Sequence, residues 1–317
     1  MKLDIKDKRI LQELDLTHKR SYSEIGKKLQ LSKEVVNYKI KNLEKNGYIN
    51  AYHTLIDYSK LGYICVRVYI KYINTPTKIE HEIQNYLVKQ KNVIFISEIK
   101  GEYDLNFGIL VKSIYEFEKE YIKFKKEFKK YIIEENISIY TQVHHFKRRY
   151  IIESEDEYNT IVMGSDKIVE HDSIDEEILK LLTKNSKFSL LELANKVKLT
   201  PNAIGIRIKK MEKNGIIPGY RIVLNPKEME IEYFKVDIDL DNLKNFESLL
   251  SYCKSHKNIS SIVKTIGGND LEIFFEVKNF EELMEIMKDM RNKFKDIRTW
   301  KYFVIRKYLK YVYFLEP

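Results

Sequence analysis

With 317 residues, 44% of them hydrophobic and 32% charged, the chain exceeds one typical domain and can bury two or more cores, which excludes wholesale disorder. No apolar run approaches the ~20 residues of a membrane span. The start MKLDIKDKRI lacks a signal-peptide core, and Cys65 and Cys253 cannot build a disulfide framework or a cysteine metal cage. A formal charge of +9 suits an anionic partner such as nucleic acid, and the expected setting is the reducing cytoplasm, with no membrane, metal or cofactor implied.

Ile10, Leu11 and Leu14 recur at helical spacing and predict a first helix around residues 5–16. SYSE at 21–24 is a capping box, in which Ser21 caps a short helix while Glu24 reaches back. Gln30 and Leu31 make a tight turn. Ser32 then offers a second N-cap, Val35, Val36, Ile40 and Leu43 form the apolar stripe of a third helix, and Asn46-Gly47 ends it. Helix, short helix, tight turn, helix is a helix-turn-helix, which presents its last helix to the major groove.

A different rhythm follows. YICVRVYIKYI (63–73) alternates and is rich in β-branched and aromatic residues, as a strand requires. A helix over 78–89, strands over 93–100 and 104–111, the amphipathic helix SIYEFEKEYIKFKKEFKKYI and a last strand in ISIYTQVHHFKRRYI complete a strand-helix-strand-strand-helix-strand order. That is the split βαβ plan of a ferredoxin-like sandwich.

After the acidic stretch from ESEDEYNT to SDKIVEHDS, the plan repeats. At an offset of 168, residues 7–53 overlay 175–221 with 17 of 47 positions identical, and LEKNGYINAY (43–52) meets MEKNGIIPGY (211–220). SLLE (189–192), Thr200-Pro201 and Asn214-Gly215 restate each helix signal. Further on, at an offset of 166, NVIFISEIKGEYDL meets NISSIVKTIGGNDL, and the second set of elements falls at 232–240, 242–256, 259–266, 270–277, 279–295 and 298–314. The expected fold class is α+β, two copies of a winged helix-turn-helix followed by a ferredoxin-like βαββαβ domain. The expected divisions are 1–57, 61–152, an acidic linker 153–172, 173–226 and 230–317.

The outer face of the first reading helix carries Ser32, Lys33, Asn37, Tyr38, Lys41 and, at its boundary, Lys39. Asparagine pairs bidentately with adenine, while lysine meets guanine edges or phosphates. An exposed lysine run alone is usually a solvated face; its place after a tight turn in a repeated helix-turn-helix favours DNA contact. In the second copy Thr200, Asn202, Arg207, Lys209 and Lys210 persist, but Gly205 and Ile206 replace Asn37 and Tyr38. The first sixty residues hold 13 Lys/Arg against 8 Asp/Glu, and residues 170–230 hold 11 against 9. The first copy is thus expected to read sequence, and the second to hold backbone.

The chain resembles a tandem member of the Lrp/AsnC family of feast/famine transcription regulators. The resemblance rests on the domain order, on the D..I...L opening of the first helix, on the two EKNG phrases, and on a Gly-x-x-Asp-Leu phrase between the middle strands, Gly101, Asp104, Leu105 and again Gly267, Asp270, Leu271. It implies double-stranded DNA as partner, dimerisation through the ferredoxin-like sheets, and a small effector, commonly an amino acid, near Gly101, Tyr103, Asp104 and Gly267, Asn269, Asp270. Asp104 would receive an ammonium group or simply cap a turn. Two fused subunits would imitate a dimer, and two chains would pair to place first-copy domains on matched half-sites.

Two rival readings remain. Siroheme decarboxylases are built from similar halves, yet HHFKRRY (144–150) puts His144 and His145 on opposite faces of a strand, and the second copy has YFVIRKY with no histidine. Phosphate-cradling glycine loops, nucleophile elbows and clustered metal ligands do not occur, so no catalytic residue is expected. GGND (267–270) reads as a tight turn, Trp300, Tyr302 and Tyr308 as core or interface aromatics, and KFKKEFKKY (123–131) as a sheet-facing helix with solvated lysines. The third possibility is a co-regulator that pairs with other family members and binds DNA poorly.

Overall fold

The computed structural model describes residues 2–16, 21–152 and 160–317; the first part of the acidic linker, 153–159, lies outside them. The first helix-turn-helix comprises α1 (Ile5–Leu14), α2 (Tyr22–Leu29) and α3 (Lys33–Lys45), followed by the single strand β1 (Ile49–Leu55). Ile10, Leu11, Ile25, Val36, Ile40 and Leu43 share one buried cluster, so the spacing that predicts each helix also builds the core between them. Asp4 caps α1 in a reciprocal box with Asp7, and Ser21 does the same for α2 with Glu24.

The first ferredoxin-like unit follows as β2 (Ile64–Tyr72), α4 (Thr77–Lys89), β3 (Val93–Lys100), β4 (Leu105–Val111), α5 (Ile114–Phe128) and β5 (Ile132–Phe146). Within the expected linker a short strand β6 (Thr160–Met163) adds to the edge of β5. The second helix-turn-helix is α6 (Ser173–Lys184), α7 (Leu190–Val197) and α8 (Pro201–Lys213), with strand β7 (Gly219–Leu224). The second ferredoxin-like unit is β8 (Glu232–Leu240), α9 (Phe246–Ser255), β9 (Ile259–Ile266), β10 (Leu271–Val277), α10 (Phe280–Lys293) and β11 (Ile297–Tyr311).

The two halves interlock three times. Their four-stranded sheets run β5-β2-β4-β3 and β11-β8-β10-β9, and β3 pairs with β11 while β9 pairs with β5, closing eight strands into a ring. Closure pairs the strand edges that two separate sheets would leave open. In the first half Val66, Val68 and Ile70 pack outward beneath Ile83, Leu87, Phe117 and Phe124 of the helices. The alternate residues Cys65, Arg67 and Tyr69 therefore face inward. The third junction is β1 with β7, antiparallel, with His53 opposite Arg221 near the pseudo-twofold axis. Each recognition helix thus has one strand after it, and the wing is a two-stranded sheet shared by both heads.

Each head also borrows core from elsewhere. Ile151 beyond β5, with Ile222 and Leu224 of β7, completes the first head's cluster. The second head packs Ile178, Leu179, Leu193 and Met211 against Leu55, Tyr63, Leu110 and Phe314.

Candidate nucleic-acid interface

Both reading helices are set by the same local chemistry. Gln30 ends α2 at φ 55°, and Lys198 ends α7 at φ 59°, the left-handed conformation that turns the chain sharply. Ser32 Oγ then accepts from the Val35 amide, and Thr200 Oγ1 from the Ala203 amide with Pro201 in the first turn. Val36, Ile40 and Leu43 bury the inner face of α3, and Ile204 and Met211 that of α8.

What remains outside differs between the heads. On α3 Lys33, Tyr38 and Lys41 are exposed, with Asn37 half-buried beside them, and Tyr38 is 67% exposed; Glu34, Lys45 and Val35 (39%) are exposed too, so Val35 does not join the buried stripe its spacing suggests. On α8 Asn202, Lys209 and Lys210 are exposed, but Ile206 is 60% exposed where Tyr38 stands in the first copy. Gly205, in place of Asn37, lies where a Cβ would come within 3.3 Å of Leu190 Cδ1. Leu190 and Leu191 are themselves exposed at 43% and 60%. The second head therefore offers a more apolar face, flanked by lysines, at the positions where the first offers Tyr38 and Asn37.

Two of the predicted contacts are committed inside the heads. Lys39 Nζ lies 2.8 Å from Asp4 and 2.9 Å from Asp7, the capping-box pair of α1. Arg207 Nη1 sits 2.8 Å from both Asp172 and Asp175, the equivalent box of α6. These cations fasten α3 to α1 and α8 to α6, so in this structure they are engaged within the heads and not held out with the outer face. Lys39 and the Asp7 amide hold the Asp4 carboxyl down at about 2. The pattern was visible as an acidic pair at positions 4 and 7 repeated at 172 and 175, but no local rule links it to a lysine 32 residues away. Sequence reasoning also passed over Leu190 and Leu191, which an offset-168 comparison places opposite Tyr22 and Ser23.

The heads are fixed to one another. Lys187 pairs with Glu44, which also accepts from Tyr52 Oη at 2.6 Å. Ser186 Oγ donates to the Tyr52 carbonyl at 2.7 Å, and Lys60 Nζ to the Asn214 carbonyl at 3.0 Å. The first head is bolted to the barrel by Arg148, which donates to Asp15 at 2.7 Å, to Glu276 at 2.8 Å and to the Ile222 carbonyl at 3.1 Å.

The glycine-aspartate loops carry structural contacts of their own. Asp104 accepts from the Tyr72 amide at 3.0 Å and Asp270 from the Leu240 amide at 2.8 Å, so each carboxylate caps the end of a neighbouring strand. Gly101 (φ 143°) and Gly267 (φ 81°) pass so close to the other half's last strand that a Cβ would lie 2.9 Å from the Tyr302 carbonyl or 3.0 Å from that of Ile137. Tyr103 is buried, stacks on Tyr69 and donates to Glu134 at 3.1 Å; Asn269 donates to Asp239 at 2.9 Å. Of the turn and ammonium readings of Asp104, the geometry matches the turn. His144 is half-buried beside Gln142, whereas His145 is buried against Arg221 at 3.1 Å, so the two diverge as alternation requires.

A winged helix-turn-helix DNA-binding family model matches residues 3–50 and again 171–217. The uncharacterized HTH-type transcriptional regulator PH0045 of Pyrococcus horikoshii is 32% identical over 126 residues, covering 39% of this chain and 81% of that protein. The HTH-type transcriptional regulator LrpB of Bacillus subtilis is 33% identical over 119 residues, covering 38% of this chain and 80% of its own. Among solved structures the siroheme decarboxylase NirDL covers 98% of this chain and 94% of itself, with a TM-score of 0.64 and 13% identity, a likeness of fold. Among the described residues no helix is long and apolar enough to cross a membrane.

Proposed function

The chain belongs to the Lrp/AsnC family of transcription regulators as a tandem duplication, and from that premise we propose that it binds double-stranded DNA sequence-specifically, with unlike roles for its two heads. The carrying observation is the contrast between the Lys33, Asn37, Tyr38, Lys41 face of α3 and the Leu190, Leu191, Gly205, Ile206 face of α8. In this reading Asn37 pairs with a base edge, Lys33 and Lys41 meet guanine or phosphate, and Tyr38 stacks or donates at the groove wall. Ser32 and Thr200 turn helix N-termini toward phosphates, and Asn202, Lys209 and Lys210 grip the backbone. Ile206 has only thymine methyl groups to meet.

Two chains pairing through their outer faces would set two first heads on the half-sites of a palindrome. Modulation by a small effector such as an amino acid rests on the family resemblance of the two loops, where Gly101 and Gly267 keep exposed backbone. Thermal-shift screening of the amino acids tests that part, a ligand-specific rise supporting it and a flat panel opposing it.

The main test is a salt-titrated binding assay with the chain's own promoter region and a scrambled duplex. A preference that survives physiological salt and falls about tenfold or more in Asn37→Ala/Lys41→Ala supports the reading. Equal, salt-sensitive binding to both duplexes moves weight to a co-regulator. The enzyme alternative draws on the NirDL likeness in fold, against which stands the divergence of His144 and His145. Turnover of a tetrapyrrole substrate would favour it.

A further inference from the structure

Overlaying the halves through their strand registers reveals a charge asymmetry sealed inside the barrel. Arg67 of β2 corresponds to Lys235 of β8, and Tyr69 to Asp237; Asn106 of β4 corresponds to Glu272 of β10, and Leu110 to Glu276. β10 thus carries two carboxylates that β4 lacks, and each is taken by an arginine of the other half. Arg67 grips Glu272 with both terminal nitrogens and donates to Ser138 at 2.8 Å, while Lys235 lies 3.1 Å from Glu272 and pairs with Asp237. The side chains of these four charged residues are at most 3% exposed. Arg67 and Lys235 hold the Glu272 carboxyl well below the usual carboxylate range against the cost of burial.

A second asymmetry lies at the end of the barrel. Glu276 is held by Arg148, whose counterpart by strand register is the fully buried Phe314 and not Arg306, since His144 and His145 match Lys310 and Tyr311 and HHFKRRY does not overlay YFVIRKY. Asp15 is held by Arg148 at 2.7 Å and Arg221 at 3.3 Å; its counterpart is Thr183, and that of Arg221 is His53.

We infer that these buried charges are a pairing code, by which the sheet of a first half accepts the sheet of a second half and refuses its own kind. At the centre the first half supplies +1 from Arg67, and the second supplies −1 from Lys235, Asp237 and Glu272, so the native pairing encloses no net charge. Two first halves would enclose two arginines with no carboxylate. Two second halves would enclose two lysines and four carboxylates. A buried charge without its partner costs far more than an intact pair gains, so both like pairings are penalised. The partner that fits is therefore the second half of a chain of this sequence, in the same molecule or in another. This inference is independent of whether the heads read DNA.

The test uses the full-length chain in four forms: Arg67→Glu, Glu272→Arg, the exchange Arg67→Glu/Glu272→Arg in one chain, and the two single variants co-expressed with different tags. Melting temperature and mass by light scattering are the readouts. Each single variant is expected to melt about 5 °C or more below wild type, or to aggregate. The exchange restores opposite charges in cis and is expected to recover most of the loss. The co-expressed singles are expected to copurify as a one-to-one, two-chain species, because the first half of each has the second half of the other as its only complementary partner. Single variants that keep wild-type melting and mass, or an exchange no better than the singles, would overturn the code and leave packing alone as the cause of pairing.

Discussion

Replacing Arg148 by methionine keeps most of the side-chain volume and removes the cation that joins the first head to the barrel. Asp15 and Glu276 would be left behind with side chains 0% and 5% exposed. Breaking a buried pair by removing one partner costs about 3–5 kcal/mol, because the orphaned charge stays desolvated. Here the loss falls at the lower end, since Arg221 still lies 3.3 Å from Asp15 and Tyr150 Oη still donates to Glu276 at 2.7 Å. About 3 kcal/mol in a chain of 317 residues corresponds to a fall in Tm of roughly 4–5 °C. Calorimetry on full-length wild type and variant measures it, and hydrogen exchange should show α1 to α3 opening before the second head does. The second head's equivalent mount is aromatic, with Phe314 edge-on to Tyr63 at 5.4 Å, so Phe314→Ala should cost a similar amount by cavity formation but free the other head. A change below about 1 kcal/mol for Arg148→Met, or loosening of the second head by it, would refute the assignment of Arg148 as the mount.

Three further outcomes follow from the geometry. Lys39→Ala should leave the salt dependence of DNA binding unchanged, because Lys39 is spent on Asp4 and Asp7, whereas Lys41→Ala should lower the slope of log K against log salt by about 1. The depressed Asp4 carboxyl contributes stability above its unfolded value near 4 and loses it as pH falls toward about 2, so Lys39→Ala should also flatten that stretch of a pH-melting curve. His53, half-buried, is held down to about 4 by desolvation and the nearby Arg148 and Arg221; its unfolded form takes up a proton first, so stability falls as pH drops from about 6.5 to 4, and His53→Gln should flatten that stretch of the curve. Gly101→Ala and Gly267→Ala should each cost about 1–3 kcal/mol in urea melts, since both combine a positive φ with a carbonyl within 3.0 Å of the added methyl.

The local grammar of this chain was readable before its structure. Ser21, Ser32, Ser189 and Thr200 cap the helices expected of them, and the strand-helix order of both ferredoxin-like units follows from periodicity. Strand and helix bounds shifted by a few residues, as at β5, which starts at Ile132 and not near 137. What stayed hidden depends on partners far along the chain. In YICVRVYIKYI, alternation alone suggests that Arg67 and Lys71 share a solvent face, yet the sheet of the other half roofs that face and buries Arg67 against Glu272, 205 residues away. The β1–β7 and β3–β11 pairings escape for the same reason, since backbone pairing leaves no mark on either strand's own composition. On α3 the exposure of Tyr38 and Lys41 was legible because exposure follows helical phase; the ion pairs of Lys39 and Arg207 were not, because phase cannot show an aspartate on another helix.

The central claim is that one body carries two unlike heads, and half-site substitution tests it most directly. With a specific operator in hand, each half-site is scrambled in turn and the Kd of full-length wild type is measured at fixed physiological salt. The account predicts that scrambling the sequence under a first head costs about 1–3 kcal/mol per contacted base pair, while scrambling under a second head costs little beyond the non-specific background. Equal losses at both positions would contradict it and make the second helix-turn-helix a full reader.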